Sequence, residues 1–204
     1  AAQEHVATSL LGDGLGEMLI EKMEDKVGLI NLVLTMAYLG GVNYSDTLGT
    51  VGIWDSIIFR RLAQKKIAVP PSKNHHRTGF TGGYVKEPHV GLHDWVMSFD
   101  LNSLYPNIIV QYNMSPETMC YDEKVDTTKC ANGAMFRKDF EGIIPNVIRK
   151  FYDDRVSIKG NMLKAKQKYE EAPTKKLENE IATMDNQQMA IKILMNSLYG
   201  ALAN

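Results

Sequence analysis

The sequence has no long hydrophobic run and only two cysteines. No stretch of about eighteen apolar residues occurs, and no charged segment followed by an apolar one opens the chain, so neither a membrane-spanning helix nor a secretory signal is predicted. Cys120 and Cys130 have neither the spacing of zinc ligands nor the density of a disulfide framework. We therefore expect a cytoplasmic protein that is not secreted, has no membrane contact and keeps its thiols reduced.

Net charge is also almost absent. The 23 basic and 24 acidic residues leave a charge of −1, and 44% of the 204 residues are hydrophobic, which is typical of a globular chain and not of one that coats nucleic acid. The charge is distributed unevenly, however, because residues 145–168 contain seven basic and two acidic residues. Such a segment is either an anion-binding surface or the solvated face of a helix.

The first part of the chain is predicted to be helical. Residues 1–16 are rich in small residues, follow no period and are left unassigned as a leader. Apolar residues recur three and four apart in 17–39 and again in 51–66, which predicts two amphipathic helices with Trp54 in the core. A segment rich in Pro, Gly and polar residues marks a boundary near 69–83.

The second part combines extended and helical patterns. Residues 84–100 are predicted to form two extended pieces, the second a buried strand that ends at Asp100. Asn132-Gly133 lies between strand-like residues and predicts a hairpin turn. Residues 144–171 and 175–199 follow the helical period, and at about 1.5 Å per residue they would form an antiparallel hairpin roughly 40 Å long.

A carboxylate comes at the end of the predicted strand. In that position Asp100 can hold Mg²⁺, which prefers one or two carboxylates together with phosphate oxygens. Ser103, Leu104 and Tyr105 follow in a helix-compatible segment, and the first N–H groups of a helix favour an anion. A metal and phosphate site is one interpretation, and the other is that Asp100 is the N-cap of this helix.

A polar stripe is predicted near the end of the sequence. Lys192, Asn196 and Tyr199 are spaced four and three apart, with Gln188 one turn earlier, so they share one face of a helix. Such a stripe can meet a triphosphate at Lys192 and a base pair at Asn196 and Tyr199, while Gly200 permits a close approach. A solvent-exposed polar face explains the same pattern equally well.

Two further cations lie on the preceding predicted helix. Arg155 and Lys159 are four residues apart and share a face, which an antiparallel partner helix can turn toward Lys192. Three cations around one ligand indicate a polyphosphate. Asp153 and Asp154 flank them and are interpreted as solvated or ion-paired carboxylates, not as metal ligands.

Four segments of the chain resemble the DNA polymerases of family B. Two of them match the family's motifs D-x-x-S-L-Y-P and K-x-x-x-N-S-x-Y-G, and here they read FDLNSLYPNII and KILMNSLYG. GFTGGYVKEP resembles the loop that joins the exonuclease and polymerase parts, and FYDDRVSIK resembles the arginine and lysine of the fingers. These segments are most similar in sequence to the replicative polymerases of T-even-type tailed phages, and the resemblance covers about residues 20–204.

The resemblance implies a role for each of these residues. Asp100 is expected to bind the catalytic Mg²⁺ ions, and Tyr105 to lie under the sugar and exclude a 2′-hydroxyl. The residues expected to hold the nucleotide are Leu101, Ser103, Leu104, Tyr105, Arg155, Lys159, Lys192 and Asn196. The residues expected to contact DNA or the nascent base pair are Gly82, Gly83, Tyr84, Tyr199 and Gly200.

The resemblance also implies a fold and a function. We expect an α+β chain with a helical connector in 17–83, a partial polymerase palm in 84–143 and a two-helix fingers hairpin in 144–204. The expected function is DNA-directed DNA synthesis with dNTPs on primer-template DNA in a bacterial host cell. Expected partners include a sliding clamp, bound through the C-terminal part that family members carry.

The sequence departs from the family in three respects. Two-metal phosphoryl transfer needs at least two carboxylates, and the family's second acid lies in a Y-x-D-T-D hairpin beyond the last motif found here. The exonuclease acids and the thumb have no counterpart either. We therefore expect an internal fragment, completed by a second polypeptide that carries the hairpin and thumb. A nucleotide- and DNA-binding fragment without catalysis, or a helical-hairpin protein whose polar stripes are only solvated, remain alternatives.

Overall fold

A computed structural model describes residues 16–26, 28–69, 83–122 and 124–202. The leader residues 1–15 and Gly82 lie outside this part. The helices are α1 (residues 16–26), α2 (Leu29–Gly40), α3 (Thr50–Gln64), α4 (Leu104–Gln111), α5 (Ile143–Glu171) and α6 (Lys175–Leu202), and the strands are β1 (Thr127–Lys129) and β2 (Met135–Arg137). None of the helices in the described part is long and apolar enough to cross a bilayer. The predicted α+β class is confirmed.

The two longest helices form the predicted antiparallel pair. Helices α5 and α6 contain 29 and 28 residues and pack side by side. Between them, Pro173 interrupts the helix, and the Thr174 hydroxyl accepts a hydrogen bond from the Leu177 N–H at 3.2 Å, which is the geometry of an N-cap. The predicted bounds of this hairpin are confirmed to within a few residues.

The core lies where helices α2, α3 and α4 pack against this hairpin. Ile53 and Trp54 of α3 are buried against Ile148 of α5 and Leu194 of α6. The Trp54 indole N–H donates to the carbonyl oxygen of Leu194 at 3.1 Å and to the Ser197 hydroxyl at 3.2 Å. The prediction that Trp54 is a core residue is confirmed, and its hydrogen bonds tie α3 to α6.

The prediction of a single helix over 17–39 is wrong, because the helix is interrupted near Gly28. Helix α1 covers residues 16–26 and α2 begins at Leu29, after Gly28 in the left-handed conformation with φ of +66°. Only glycine adopts this conformation without a steric cost, so the chain turns here although the apolar spacing continues on both sides.

The buried strand predicted to end at Asp100 is also wrong. Residues 83–100 form no regular secondary structure, and the side chains of Val96, Met97 and Phe99 are 73%, 78% and 88% exposed. A strand is stabilised by pairing with a neighbour and by packing of one face, and no strand in the described residues lies beside this segment. Its β-prone composition alone therefore does not produce a strand.

The predicted Asn-Gly hairpin is confirmed. Strands β1 and β2 pair antiparallel with Thr128 opposite Phe136, and Gly133 turns the chain with φ of +87°.

The side chain of Asn113 joins the segment after this hairpin to the start of α5. Its amide nitrogen donates to the carbonyl oxygens of Arg137 at 2.7 Å and Phe140 at 2.8 Å, and its oxygen accepts from the Gly142 N–H at 2.8 Å.

Replacing Asn113 with alanine is expected to lower the free energy of unfolding by about 2–3 kcal/mol. Three hydrogen bonds of about 1 kcal/mol each are lost, and alanine tolerates the left-handed φ of +54° less well than asparagine. Urea denaturation measures the change. Asn179→Ala, at an exposed position on α6, is the matched control and should change stability by less than about 0.5 kcal/mol. Equal stabilities of the two variants would contradict the role of Asn113.

Candidate functional site

The two motif segments meet in the structure. The ring of Tyr105 at the start of α4 stacks on the ring of Tyr199 near the end of α6, with centroids 4.8 Å apart and planes 14° from parallel. Ile109 of α4 lies in the same buried cluster as residues of α5 and α6, which holds the short helix against the hairpin. Residues 94 positions apart in the sequence thus form one surface, and both rings remain partly exposed.

The start of α4 presents backbone donors. Ser103 precedes the helix in the left-handed conformation, with φ of +51°, and its side chain makes no capping hydrogen bond. Within the described residues, the N–H groups of Leu101, Ser103 and Leu104 have no hydrogen-bond acceptor. Unsatisfied N–H groups at a helix start carry partial positive charge, so this turn can receive an anion.

Asp100 does not cap this helix. The N-cap position is taken by Ser103, and the Asp100 side chain is exposed without an ion pair or hydrogen bond in the described part of the chain. Its carboxylate can therefore serve as one oxygen ligand for a hard cation. Among the described residues, however, no group of three or more His, Cys, Asp or Glu side chains could hold a metal. These residues thus fit one ligand position and not a complete metal site.

The predicted phosphate-binding cations lie at matching levels of the hairpin. Arg155 lies 16 residues before Glu171 and Lys192 lies 17 residues after Lys175, which places both about 25 Å from the turn. The Arg155 Nε is buried and has no acceptor among the described residues. Lys159 and Lys192 are exposed, and neither forms an ion pair in the described part. The three cationic side chains thus lie on the two helices that form the hairpin.

The polar stripe on α6 is present in shortened form. Lys192, Asn196 and Tyr199 are all exposed and follow one helix face. Gln188, expected one turn earlier, is only 8% exposed and donates to the Asp185 carboxylate at 2.8 Å. Gln188 thus shares the helical spacing of the stripe but not its exposure.

Gly83 and Gly200, both predicted to contact DNA, lie beside the stacked rings. A Cβ on Gly83 would lie 4.0 Å from the Tyr105 hydroxyl, and Tyr84 beside it is 89% exposed. Gly200 follows the stacked Tyr199, and a Cβ built there has no atom within 4 Å. The loop before the first motif and the end of α6 therefore border one site.

One positioning residue was missed by the sequence analysis. The Ser197 hydroxyl donates to the Leu194 carbonyl oxygen at 2.9 Å and accepts from the Trp54 indole N–H, so it helps to set how α6 lies on α3. The signal available in the sequence was a small polar residue on the apolar face of the helix, between Asn196 and Tyr199.

The Tyr105 and Tyr199 rings are expected to stabilise each other by about 0.5–1.5 kcal/mol. This coupling is measured by a double-mutant cycle with Tyr105→Leu, Tyr199→Leu and the double variant in urea denaturation. As a control, Tyr121→Leu, at a ring that is 67% exposed, should be additive with Tyr199→Leu to within about 0.5 kcal/mol. Additivity in the first cycle as well would show that the two motifs do not meet in solution.

Comparison with solved structures identifies the class of fold. The structure of the family B DNA polymerase from the hyperthermophilic archaeon Pyrobaculum calidifontis matches with a TM-score of 0.66 and 24% sequence identity, covering 88% of this chain and 23% of that one. The model of DNA polymerase family B matches residues 51–204. The chain belongs to this family.

Curated relatives agree with this assignment. The DNA-directed DNA polymerase of Escherichia phage RB69 is 31% identical over 90% of this chain and 27% of its own length. The corresponding protein of Enterobacteria phage T4 is 32% identical over 88% of this chain and 26% of its own length. The resemblance to T-even-type phage polymerases is thus confirmed, and the chain spans about a quarter of the length of these relatives.

Proposed function

We propose that this chain acts in template-directed DNA synthesis, in which a primer 3′-hydroxyl attacks the α-phosphate of a dNTP. The observation that carries the proposal is the stacking of Tyr105 on Tyr199, which unites D-x-x-S-L-Y-P and K-x-x-x-N-S-x-Y-G in one site. Neither motif alone brings phosphate donors, a sugar platform and a base-pair face together. In this proposal, residues 17–83 are a connector, 84–143 part of the palm and 144–204 the fingers.

The triphosphate would be held by Arg155, Lys159 and Lys192. A buried guanidinium nitrogen without an acceptor is costly, and Arg155 Nε is in this state in the described part of the chain. Phosphate oxygens supply acceptors for such donors, and a guanidinium binds them with more than one N–H group. The ammonium groups of Lys159 and Lys192, both exposed, would neutralise the remaining charge.

The sugar and the base would lie between α4 and α6. The N–H groups of Leu101, Ser103 and Leu104 would meet phosphate oxygens at the start of α4. Tyr105 would lie under the sugar, where its ring, braced by Tyr199, leaves little room for a 2′-hydroxyl. Residues proposed to border the nascent pair or the template are Gly82, Gly83, Tyr84, Asn196, Tyr199 and Gly200.

Asp100 would hold Mg²⁺ through its exposed carboxylate. The ion, when bound, neutralises charge that develops on the phosphate oxygens. A second carboxylate is required for the two-metal chemistry of this reaction class, and we propose that a polypeptide with the Y-x-D-T-D hairpin and thumb supplies it. The contribution of the present chain is to position the nucleotide and one metal ligand.

A second candidate is a nucleotide- and DNA-binding chain without catalysis. It is favoured by the fact that no group of three potential metal ligands forms within the described residues. Under this hypothesis Arg155, Lys159 and Lys192 still bind triphosphate, and Tyr105 and Tyr199 still contact the nucleotide, but no bond is made.

Primer extension separates the two candidates. The chain is assayed with primer-template DNA, dNTPs and Mg²⁺, first alone and then mixed with a polypeptide that carries the Y-x-D-T-D hairpin and thumb of a family B polymerase. We expect Mg²⁺-dependent extension in the mixture. dNTP binding without extension in either assay would favour the second candidate, and the absence of both binding and extension would contradict both.

A further inference from the structure

A cavity lies between helices α3 and α5 and shares no lining residue with the proposed nucleotide site. Its volume is about 170 Å³. Among the described residues, the polar side chains that line it are Arg60, Arg61, Gln64 and Lys150, the other lining residues are apolar, and no carboxylate faces the cavity. Three cations around one cavity repel one another, and an anion between them would offset this repulsion.

One donor of Arg61 has no acceptor among the residues that the structure describes. Its Nη2 donates to the Asn146 side-chain oxygen at 2.5 Å and its Nη1 to the Gln64 oxygen at 3.4 Å. Its Nε is buried and has no acceptor among the described residues. Buried donors are nearly always satisfied in folded proteins, so this nitrogen indicates an acceptor other than the described residues.

The neighbouring cations also retain free donors. Arg60 uses Nη2 for the carbonyl oxygens of Leu39 at 3.0 Å and Gly40 at 2.6 Å, which leaves its other nitrogens without an acceptor in the described part. Lys150 is exposed and forms no hydrogen bond or ion pair with the described residues. Cationic side chains from two helices therefore line the same cavity.

The acid connected to this group is already neutralised. Glu141 accepts from the Asn146 side chain at 2.7 Å and forms an ion pair with Arg149 at 2.9 Å. Hydrogen bonding by Asn146, together with the nearby charges of Arg149 and Lys65, holds the pKa of the Glu141 carboxyl below its usual value. Glu141 thus stays charged with its own partners and does not balance the cations of the cavity.

We propose that this cavity is a phosphate-binding site. A tetrahedral phosphate group offers several oxygens in different directions, which suits two guanidinium groups and an ammonium group better than a planar carboxylate does. The phosphate belongs either to the backbone of a nucleic acid strand or to a free polyphosphate anion. The proposal does not depend on polymerase activity, because it concerns binding at residues outside the proposed nucleotide site.

The test uses Lys150→Gln, because Lys150 forms no hydrogen bond or ion pair with the described residues that the substitution would break. Lys166→Gln, at an exposed position further along α5, is the matched control. Two probes are titrated: unprimed oligothymidylate by fluorescence anisotropy at several salt concentrations, and tripolyphosphate by calorimetry. Arg61→Lys is the second variant, since it keeps the charge and removes the Nε donor, and far-UV circular dichroism checks that each variant is folded.

For a strand backbone, the slope of log affinity against log salt should fall by about 0.7 in Lys150→Gln and not in the control. If the site binds a free polyphosphate anion, the salt slope for oligothymidylate is unchanged. The Kd for tripolyphosphate then rises about two- to fivefold in Lys150→Gln and not in Lys166→Gln. Arg61→Lys should weaken the same probe that Lys150→Gln weakens. If neither probe distinguishes the folded Lys150 and Arg61 variants from the Lys166 control, the proposal is overturned.

Discussion

Replacing Asp100 with asparagine is expected to lower Mg²⁺-dependent primer extension by at least about 100-fold in the mixture that contains the Y-x-D-T-D polypeptide. A metal at a reacting phosphate contributes several kcal/mol of transition-state stabilisation, and each 1.36 kcal/mol is a factor of ten in rate. Asparagine keeps the size of the side chain and removes its charge. Because Asp100 is exposed and without partners in the described part, the melting temperature should not change.

The control for this prediction is Asp94→Asn. Asp94 lies in the same irregular segment and is also exposed, but it is outside the first motif. Extension by this variant should match that of the unchanged chain. If Asp100→Asn retained more than about a tenth of the activity, Asp100 would not be the metal ligand, and the metal would have to be held by other groups.

Replacing Trp54 with alanine is expected to lower the free energy of unfolding by about 3–5 kcal/mol, which is the usual cost of removing a large buried aromatic. Trp54 is 2% exposed, lies 5.9 Å from the Phe151 ring and donates to both Leu194 and Ser197. Its loss leaves a cavity and removes two hydrogen bonds at the junction of α3, α5 and α6. Urea denaturation followed by circular dichroism measures the change.

Phe59→Ala on the same helix is the matched control. Its ring is 60% exposed, so a change of less than about 0.5 kcal/mol is expected. Trp54→Phe should fall between the two, since it retains most of the packing and loses the indole donor. A Trp54→Ala variant as stable as Phe59→Ala would mean that α3 does not pack on α6 as the structure places it.

The long helices could be predicted because their signals are local. The apolar spacing of α5 and α6, the break at Pro173 and the Asn132-Gly133 turn all arise from conformational preferences of a few adjacent residues. The same reasoning placed Lys192, Asn196 and Tyr199 on one face, because residues three and four apart lie on the same side of a helix.

The expectations that failed or were incomplete required information from distant residues. The apolar residues of 84–100 favour a strand, but a strand needs a neighbour to pair with. Gln188 follows the spacing of the polar stripe, but packing decided that its side chain is buried beside Asp185. The break at Gly28 is an exception, because there a single residue without a side chain ended a helix whose apolar spacing continues beyond it.

By itself, the sequence determined which chemical groups this protein has, their order and their helix faces, because those depend on residue identity and local backbone geometry. Tertiary structure decided which groups meet. The stacking of Tyr105 on Tyr199, the burial of the Arg155 Nε and the cation-lined cavity at Arg61 all depend on packing between residues far apart in the chain. The spacing of apolar residues along one helix does not predict such contacts, because burial of the shared core brings the helices together.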